Sequence, residues 1–224
     1  ALIDELPASA KVGAVGFQLR NADGTPQAST GKFPTFLRTL TGLLRPRSRR
    51  KCQHQSLVER DPVDWATGGC LLVKRECFRD LGGLDEKFFL YYEDVDFCLR
   101  AHARGWQVLY DPRLAATHHW PLHRRAVPAP LRLITRHALL TYAKAHWPRL
   151  PARLLAATIS TEAKLRQTLA TFRGKSETAA TYRELSIMVR NLRCDNRTAV
   201  ARSVEAAAQS LRAIAAMQDH ADGS

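Results

Sequence analysis

The sequence lacks any run approaching the roughly 18 consecutive apolar residues of a membrane-spanning helix, and its first thirty residues carry no signal-peptide pattern. A spanning segment and a secretory leader are therefore not expected. Cysteine is scarce. Five thiols (Cys52, Cys70, Cys77, Cys98, Cys194) form no C-x-x-C pair, and an odd count suits a reducing cytosol better than a disulfide scaffold. Three of the five stand among apolar neighbours, as core filler does. No H-E-x-x-H is present, which excludes that type of zinc protease, and Pro121 between His119 and His123 argues against a shared helix face. There is no internal repeat of fixed period. Acid is in short supply: 21 Asp plus Glu stand against 34 Lys plus Arg, a net +13.

What is present is a foldable chain of 224 residues, 45% hydrophobic and 25% charged. Its basicity suits phosphate-bearing partners such as nucleotides, anionic lipid or nucleic acid. Residues 1–125 carry net +5, whereas the shorter 126–224 carries net +8. Arg45–Lys51 holds five positive charges in seven residues. With an amphipathic piece from Phe36 to Leu44 and the basic helices after 126, it is a candidate for attachment to the inner face of the cytoplasmic membrane, against the alternative of a solvated loop.

The pattern divides near residue 126. Before it, strand and helix signals alternate: a strand at Val12–Phe17, a turn at Asn21–Gly24, a strand entered through Gly68-Gly69, and a helix from Arg75 to Leu81 stopped at Gly82-Gly83. A second helix opens in the acidic segment and closes at Gly105, and a strand from Trp106 to Tyr110 ends at Asp111-Pro112. This is an α/β pattern. After 126, Ala, Leu and Arg dominate without strand signals, predicting two to four helices interrupted at Pro148 and Pro151 and near Gly174.

The densest chemistry lies at Asp85, Glu86, Glu93, Asp94 and Asp96, directly after the run Phe88-Phe89-Leu90-Tyr91-Tyr92. Helix-start carboxylates often cap free N–H groups. A carboxylate set beside apolar rings is also suited to take up a proton as a general base. His118-His119 follows a strand end and offers a metal-ligand histidine or a simple loop histidine.

The order of these motifs carries more than any one of them. The series Asp64-Trp65-Ala66-Thr67-Gly68-Gly69, Gly82-Gly83-Leu84-Asp85-Glu86-Lys87-Phe88-Phe89, Tyr91-Tyr92-Glu93-Asp94-Val95-Asp96-Phe97-Cys98-Leu99-Arg100, Gly105-Trp106 and His118-His119 resembles family 2 glycosyltransferases. Within them it is most similar to bacterial rhamnosyltransferase-type and galactofuranosyltransferase-type members. The resemblance covers roughly residues 1–125. It implies an inverting, metal-dependent transfer on a GT-A fold, from a nucleotide-sugar donor (dTDP-rhamnose first, UDP-sugars next) to a glycan or lipid-linked acceptor in cell-envelope polysaccharide synthesis. By the same resemblance Asp94 is the catalytic base and Glu93 its neighbour at the acceptor. Asp64, Trp65, Gly68 and Gly69 line the sugar site, with ordinary core packing the alternative for Trp65, and His118 is a metal ligand. The D-x-D spelling of Asp94-Val95-Asp96 stands in the wrong context for the metal motif of such enzymes. The resemblance therefore implies an acceptor-side, C-terminal part of a GT-A domain in 1–125, followed by a basic helical extension in 126–224. The nucleotide-binding half, with the main Mg or Mn ligands, is expected elsewhere, and transfer is not expected from this stretch alone. Two non-catalytic alternatives compete: a nucleic-acid-binding protein, disfavoured by few aromatics in the Arg-rich region, and a membrane adaptor.

Overall fold

The computed structural model describes residues 11–42, 60–119 and 127–222, with side chains to 214. The helix expected before Pro7, the Arg45–Lys51 run, Leu43, Leu44, Cys52 and His123 lie outside them. The chain falls into two compact units: 1–88 with 92–126, and 89–91 with 127–224.

The first unit is built on β1 (Val12–Arg20), whose apolar run is buried along most of its length. Beside it, in parallel, runs β7 (Gln107–Thr117). On its other edge β1 takes two short antiparallel partners, β2 (Pro26–Gln27) and β6 (Leu71–Val73), while β4 (Asp61–Pro62) pairs antiparallel with β7. A separate two-stranded ribbon joins β3 (Thr30–Gly31) to β5 (Trp65–Ala66). Three helices complete the unit: α1 (Phe36–Gly42), α2 (Arg75–Asp80) and α3 (Glu93–Ala103). Val95, Phe97, Cys98 and Ala101 of α3 are fully buried. The ribbon lies close against β1, for a Cβ added at Gly16 would meet the Ala66 Cβ at 2.3 Å.

Two strands differ from the sequence pattern. The stretch Gly68–Val73 is strand only from Leu71, and its first residues form a turn because the Gly68 N–H is given to the Asp94 carboxylate rather than to a ladder. β7 does not stop at Asp111 but continues to Thr117. Its register against β1 jumps from Phe17↔Asp111 to Gln18↔Ala115, so Pro112, Arg113 and Leu114 loop out as a bulge. The fully buried Asp111 stabilises that bulge. Its carboxylate accepts hydrogen bonds from Arg113 Nε at 3.0 Å, Arg113 N–H at 3.1 Å, and Arg60 Nε and Nη2 at 2.9 and 2.8 Å. The Arg113 and Arg60 guanidiniums hold its acidity well beyond the usual carboxylate range.

The second unit contains α4 (Ala129–His146), α5 (Arg149–Phe172), α6 (Ser176–Arg193) and α7 (Arg197–Asp222). α4 is buried on every side from His137 to Ala143, whereas α5 and α6 each bury one periodic face, Leu155, Ile159, Ala163 and Ala170 in α5 and Tyr182, Leu185 and Val189 in α6. Pro148 precedes α5 as its N-cap residue, but Pro151 does not interrupt it. It stands in the first turn, where no intrahelical N–H is required. Gly174 (φ 66) and Asp195 (φ 57) turn the chain between α5 and α6 and between α6 and α7. Of the described cysteines, Cys77 and Cys98 are fully buried, and burial pushes their thiols up to about 11 and about 12. Cys70 is half-buried and Cys194 exposed.

Candidate active site

Asp94 stands in the first turn of α3 and is buried. Its Oδ2 accepts the Gly68 N–H at 3.0 Å and its Oδ1 the Val95 N–H at 2.8 Å. Glu93 precedes it, half-buried. The chain enters this turn through Tyr91 (φ 69) and Tyr92 (φ 68), two consecutive non-glycine residues in the left-handed region. Such conformations cost of order 1–3 kcal/mol each and gather where geometry serves function. No local residue pattern marks this strain, because tyrosine is not a residue that favours positive φ.

Asp96, two residues on, is committed elsewhere. Its Oδ2 accepts from Arg100 Nε at 2.7 Å, and the same guanidinium donates to the Leu81 and Gly83 carbonyls at 2.9 and 3.0 Å. This clamp fastens α3 to the turn at Gly82 (φ 70) and Gly83 (φ 81). Asp85 holds a surface turn by accepting the Lys87 N–H at 3.0 Å.

The loop that meets Asp94 is positioned by the β3–β5 ribbon. Thr67 N–H bonds the Ser29 carbonyl at 2.8 Å. Trp65 is fully enclosed and donates its indole N–H to the Lys32 carbonyl at 3.1 Å. A ring so placed offers no face to a sugar, so Trp65 serves by holding β5. Asp64 accepts from Lys32 Nζ at 3.1 Å and from the Phe33 N–H at 3.0 Å. It too anchors the ribbon. At Gly68 a Cβ would lie 3.7 Å from the Asp94 Cβ, ordinary contact, whereas at Gly69 it would press on Leu19 Cδ1 at 3.1 Å. The loop thus reaches the C-terminal end of β1.

His118 stands at that same end. Its N–H bonds the Arg20 carbonyl at 2.8 Å, continuing the β1–β7 ladder, and its Nδ1 lies 3.0 Å from Gln27 Nε2. Leu19 pairs with Gln27 on one side and Ala116 on the other, so β1 links the histidine to the Gly69 loop. Gln27 is buried, and its Oε1 has no hydrogen-bond partner among the described residues. Sequence reasoning passed over Gln27, Arg60 and Asp111, and of these only the Asp-Pro step left a mark. Asp94 and Gly68 are brought together, Gly69 reaches Leu19, and His118 stands past the carboxyl ends of the parallel strands β1 and β7, where α/β sheets bind ligands, while Asp64 and Trp65 stand behind the loop. No group of three or more His, Cys, Asp or Glu side chains is placed to hold a metal ion among the described residues.

Residues 8–138 match the profile described as glycosyltransferase-like family 2. The chain belongs to that family. Over 126 residues this family 2 chain is 35% identical to an N-acetylglucosaminyl-diphospho-decaprenol L-rhamnosyltransferase of Mycobacterium tuberculosis, covering 53% of the chain and 41% of the relative. It is 31% identical over 91 residues to the Escherichia coli rhamnosyltransferase WbbL, covering 41% of the chain and 34% of that protein. A Haloferax volcanii hexosyltransferase of low-salt glycan biosynthesis, Agl10, is 36% identical over 61 residues, 27% of the chain and 20% of that protein. The chain therefore spans less than half the length of these relatives.

Proposed function

We propose that this family 2 chain supplies the acceptor-side residues of an inverting glycosyl transfer, with Asp94 as the general base. The observation that carries the reading is the pinning of Asp94. Both carboxylate oxygens accept backbone N–H groups, from Gly68 and Val95, so the side chain is held in one place beside the Gly68-Gly69 loop. An acceptor hydroxyl is a poor nucleophile until its proton is removed. In the proposed step that proton goes to Asp94, the hydroxyl oxygen bonds the anomeric carbon, and the bond from that carbon to the nucleoside diphosphate breaks. Glu93 orients the acceptor. Gly68 and Gly69 let backbone come close to the sugar, and Asp64 and Trp65 fix the ribbon that presents them.

Family 2 enzymes generally use a divalent metal, which when bound offsets charge on the departing diphosphate. His118 suits such an ion as one ligand among several. As placed, Gln27 Nε2 donates to His118 Nδ1, which puts the imidazole proton on Nε2. Turning the Gln27 amide over gives its orphaned Oε1 the Nδ1–H and leaves Nε2 open as a donor for Mg or Mn. The names of the relatives support a nucleotide-activated rhamnose as donor, a lipid-linked or glycan acceptor, and a place in cell-envelope glycan synthesis. Such an acceptor would put the reaction at the inner membrane face. No helix among the described residues is long and apolar enough to cross a membrane.

Asp94→Asn tests the reading, assayed in the polypeptide context that binds the nucleotide-sugar. Asparagine retains an oxygen for the Gly68 N–H but cannot take a proton. Transfer is expected to fall about 10²- to 10⁴-fold with donor affinity unchanged. Near-normal turnover would remove Asp94 from the role.

A further inference from the structure

The helical unit carries a surface that the transfer reaction does not use. α5 buries Leu155, Ile159, Ala163 and Ala170 on one side. On another it exposes Leu150, Leu154, Leu165, Leu169 and Phe172, with Leu165 67% and Phe172 85% exposed. At 100° per residue these five fall within an arc of about 100°, centred about 140° from the buried face, and the stripe runs about 33 Å along the helix. No charged residue stands within that arc.

The polar residues on the stripe are threonines, and each hydroxyl is satisfied by its own helix. Thr158 donates to the Leu154 carbonyl at 3.0 Å, Thr161 to Ala157 at 3.1 Å and Thr168 to Lys164 at 3.1 Å. A threonine so bonded no longer needs water for its donor proton, and its methyl adds to the apolar surface. Arg153 and Lys164 flank one edge of the stripe. The sole acid of α5, Glu162, faces cations already: Arg136 Nη2 at 2.7 Å and Arg166 Nε at 2.9 Å.

We infer that α5 is an interfacial helix that lays this stripe on an anionic phospholipid surface, its basic edge meeting the head groups. Leucine and phenylalanine on one face with lysine and arginine beside them is the arrangement that inserts shallowly at a lipid boundary. A second copy of the chain is the competing occupant. Antiparallel pairing about Thr161 would set Leu150 against Phe172, but it would also bring basic edge against basic edge with no carboxylate between them. Charge therefore selects the lipid. The inference goes beyond the transfer reading and stands on α5 alone.

Co-sedimentation of the 224-residue chain with vesicles of phosphatidylcholine, or of an equimolar phosphatidylcholine–phosphatidylglycerol mixture, tests it without sugar donor or acceptor. The chain is expected to bind the anionic vesicles, less as salt rises. A Leu165→Gln, Phe172→Gln double variant should bind about tenfold more weakly or worse, with helical circular dichroism unchanged because both sites are exposed. An Arg153→Gln, Lys164→Gln variant should show a weaker salt dependence. Three results would overturn the proposal: no binding by the parent, binding by the Leu165/Phe172 variant equal to the parent's, or a parent dimer that this variant converts to monomer. Failure here leaves the Asp94 test untouched.

Discussion

The two units bury polar groups in opposite ways. Among the described residues of the α/β unit three aspartates are buried, and each is held by a named donor: Asp94 by the Gly68 N–H, Asp96 by Arg100, and Asp111 by Arg60 and Arg113. The Gly68 and Arg60 bonds span 26 and 51 residues of sequence. In the helical unit the buried polar residues are His137, Thr141 and Ser203, and most threonine hydroxyls bond a carbonyl four residues back on their own helix. Buried charge is costly unless well paired, so a unit that buries three carboxylates commits its packing to holding them in place. The helical unit makes no comparable commitment, and its distinctive chemistry lies on the surface. The first unit is therefore expected to break at single polar contacts, and the second to respond to protons and surface changes.

Asp111→Ala should show the largest effect on stability. It removes the carboxylate that fixes the β7 bulge and binds two guanidiniums. Loss of one partner in a buried pair costs about 3–5 kcal/mol. Hydrogen exchange followed by mass spectrometry should show lost protection in 12–20 and 107–117, with 129–193 unchanged. Equal loss in both units would abolish the contrast. Because the bulge sets where His118 meets Arg20, the variant should also weaken the metal binding proposed for His118.

His137 supplies the complementary break. It is buried in α4, its Nδ1 has no hydrogen-bond partner among the described residues, and burial pushes its imidazole down to about 4 from 6.5. The folded state thus keeps the ring neutral where an unfolded chain would bind a proton. Its contribution is complete above about 6.5 and is lost as the pH falls toward about 4, of order 3 kcal/mol in all. Urea midpoints at 222 nm should drop across that window, and His137→Leu should flatten the drop. An unchanged slope in the variant would assign the acid sensitivity to other groups.

How far the sequence disclosed this molecule follows the same division. Helical periodicity after 126, the strand at Val12 and the stops at Gly82-Gly83 and Gly105 are local signals, and the α/β class with a helical extension was legible from them. The order of motifs was legible too, and it pointed to the family. What escaped was non-local. Nothing near Asp111 announces Arg60, nothing near His118 announces Gln27, and a strand ending at an Asp-Pro step looks finished unless the buried carboxylate that carries it past the bulge is known. The glycine pair at 68–69 looked like a strand entrance because its role, donating an N–H to Asp94, depends on a residue 26 positions away. The α5 stripe was hidden for a different reason: periodicity places apolar residues on a helix but does not distinguish the face that packs from the face that remains exposed.

The smallest expected effect sharpens the comparison at its closest contact. Gly16 is a buried β1 residue, and a Cβ there would lie 2.3 Å from the Ala66 Cβ. Neither methyl can swing aside, since each is fixed to a strand backbone. Gly16→Ala should therefore push β5 from β1, at about 1–3 kcal/mol. β5 leads directly into the Thr67–Gly69 loop, so the displacement should also loosen the Gly68 N–H bond to Asp94. The Gly68 amide should then exchange faster with solvent, and transfer should fall by more than the stability loss alone explains. Ala66→Gly removes the opposing methyl, and adding it to Gly16→Ala should restore both amide protection and transfer. Such rescue would show that the α/β unit positions Asp94 through one tight backbone approach. Without rescue, the ribbon would have to be held by Trp65 and Asp64 rather than by its contact with β1.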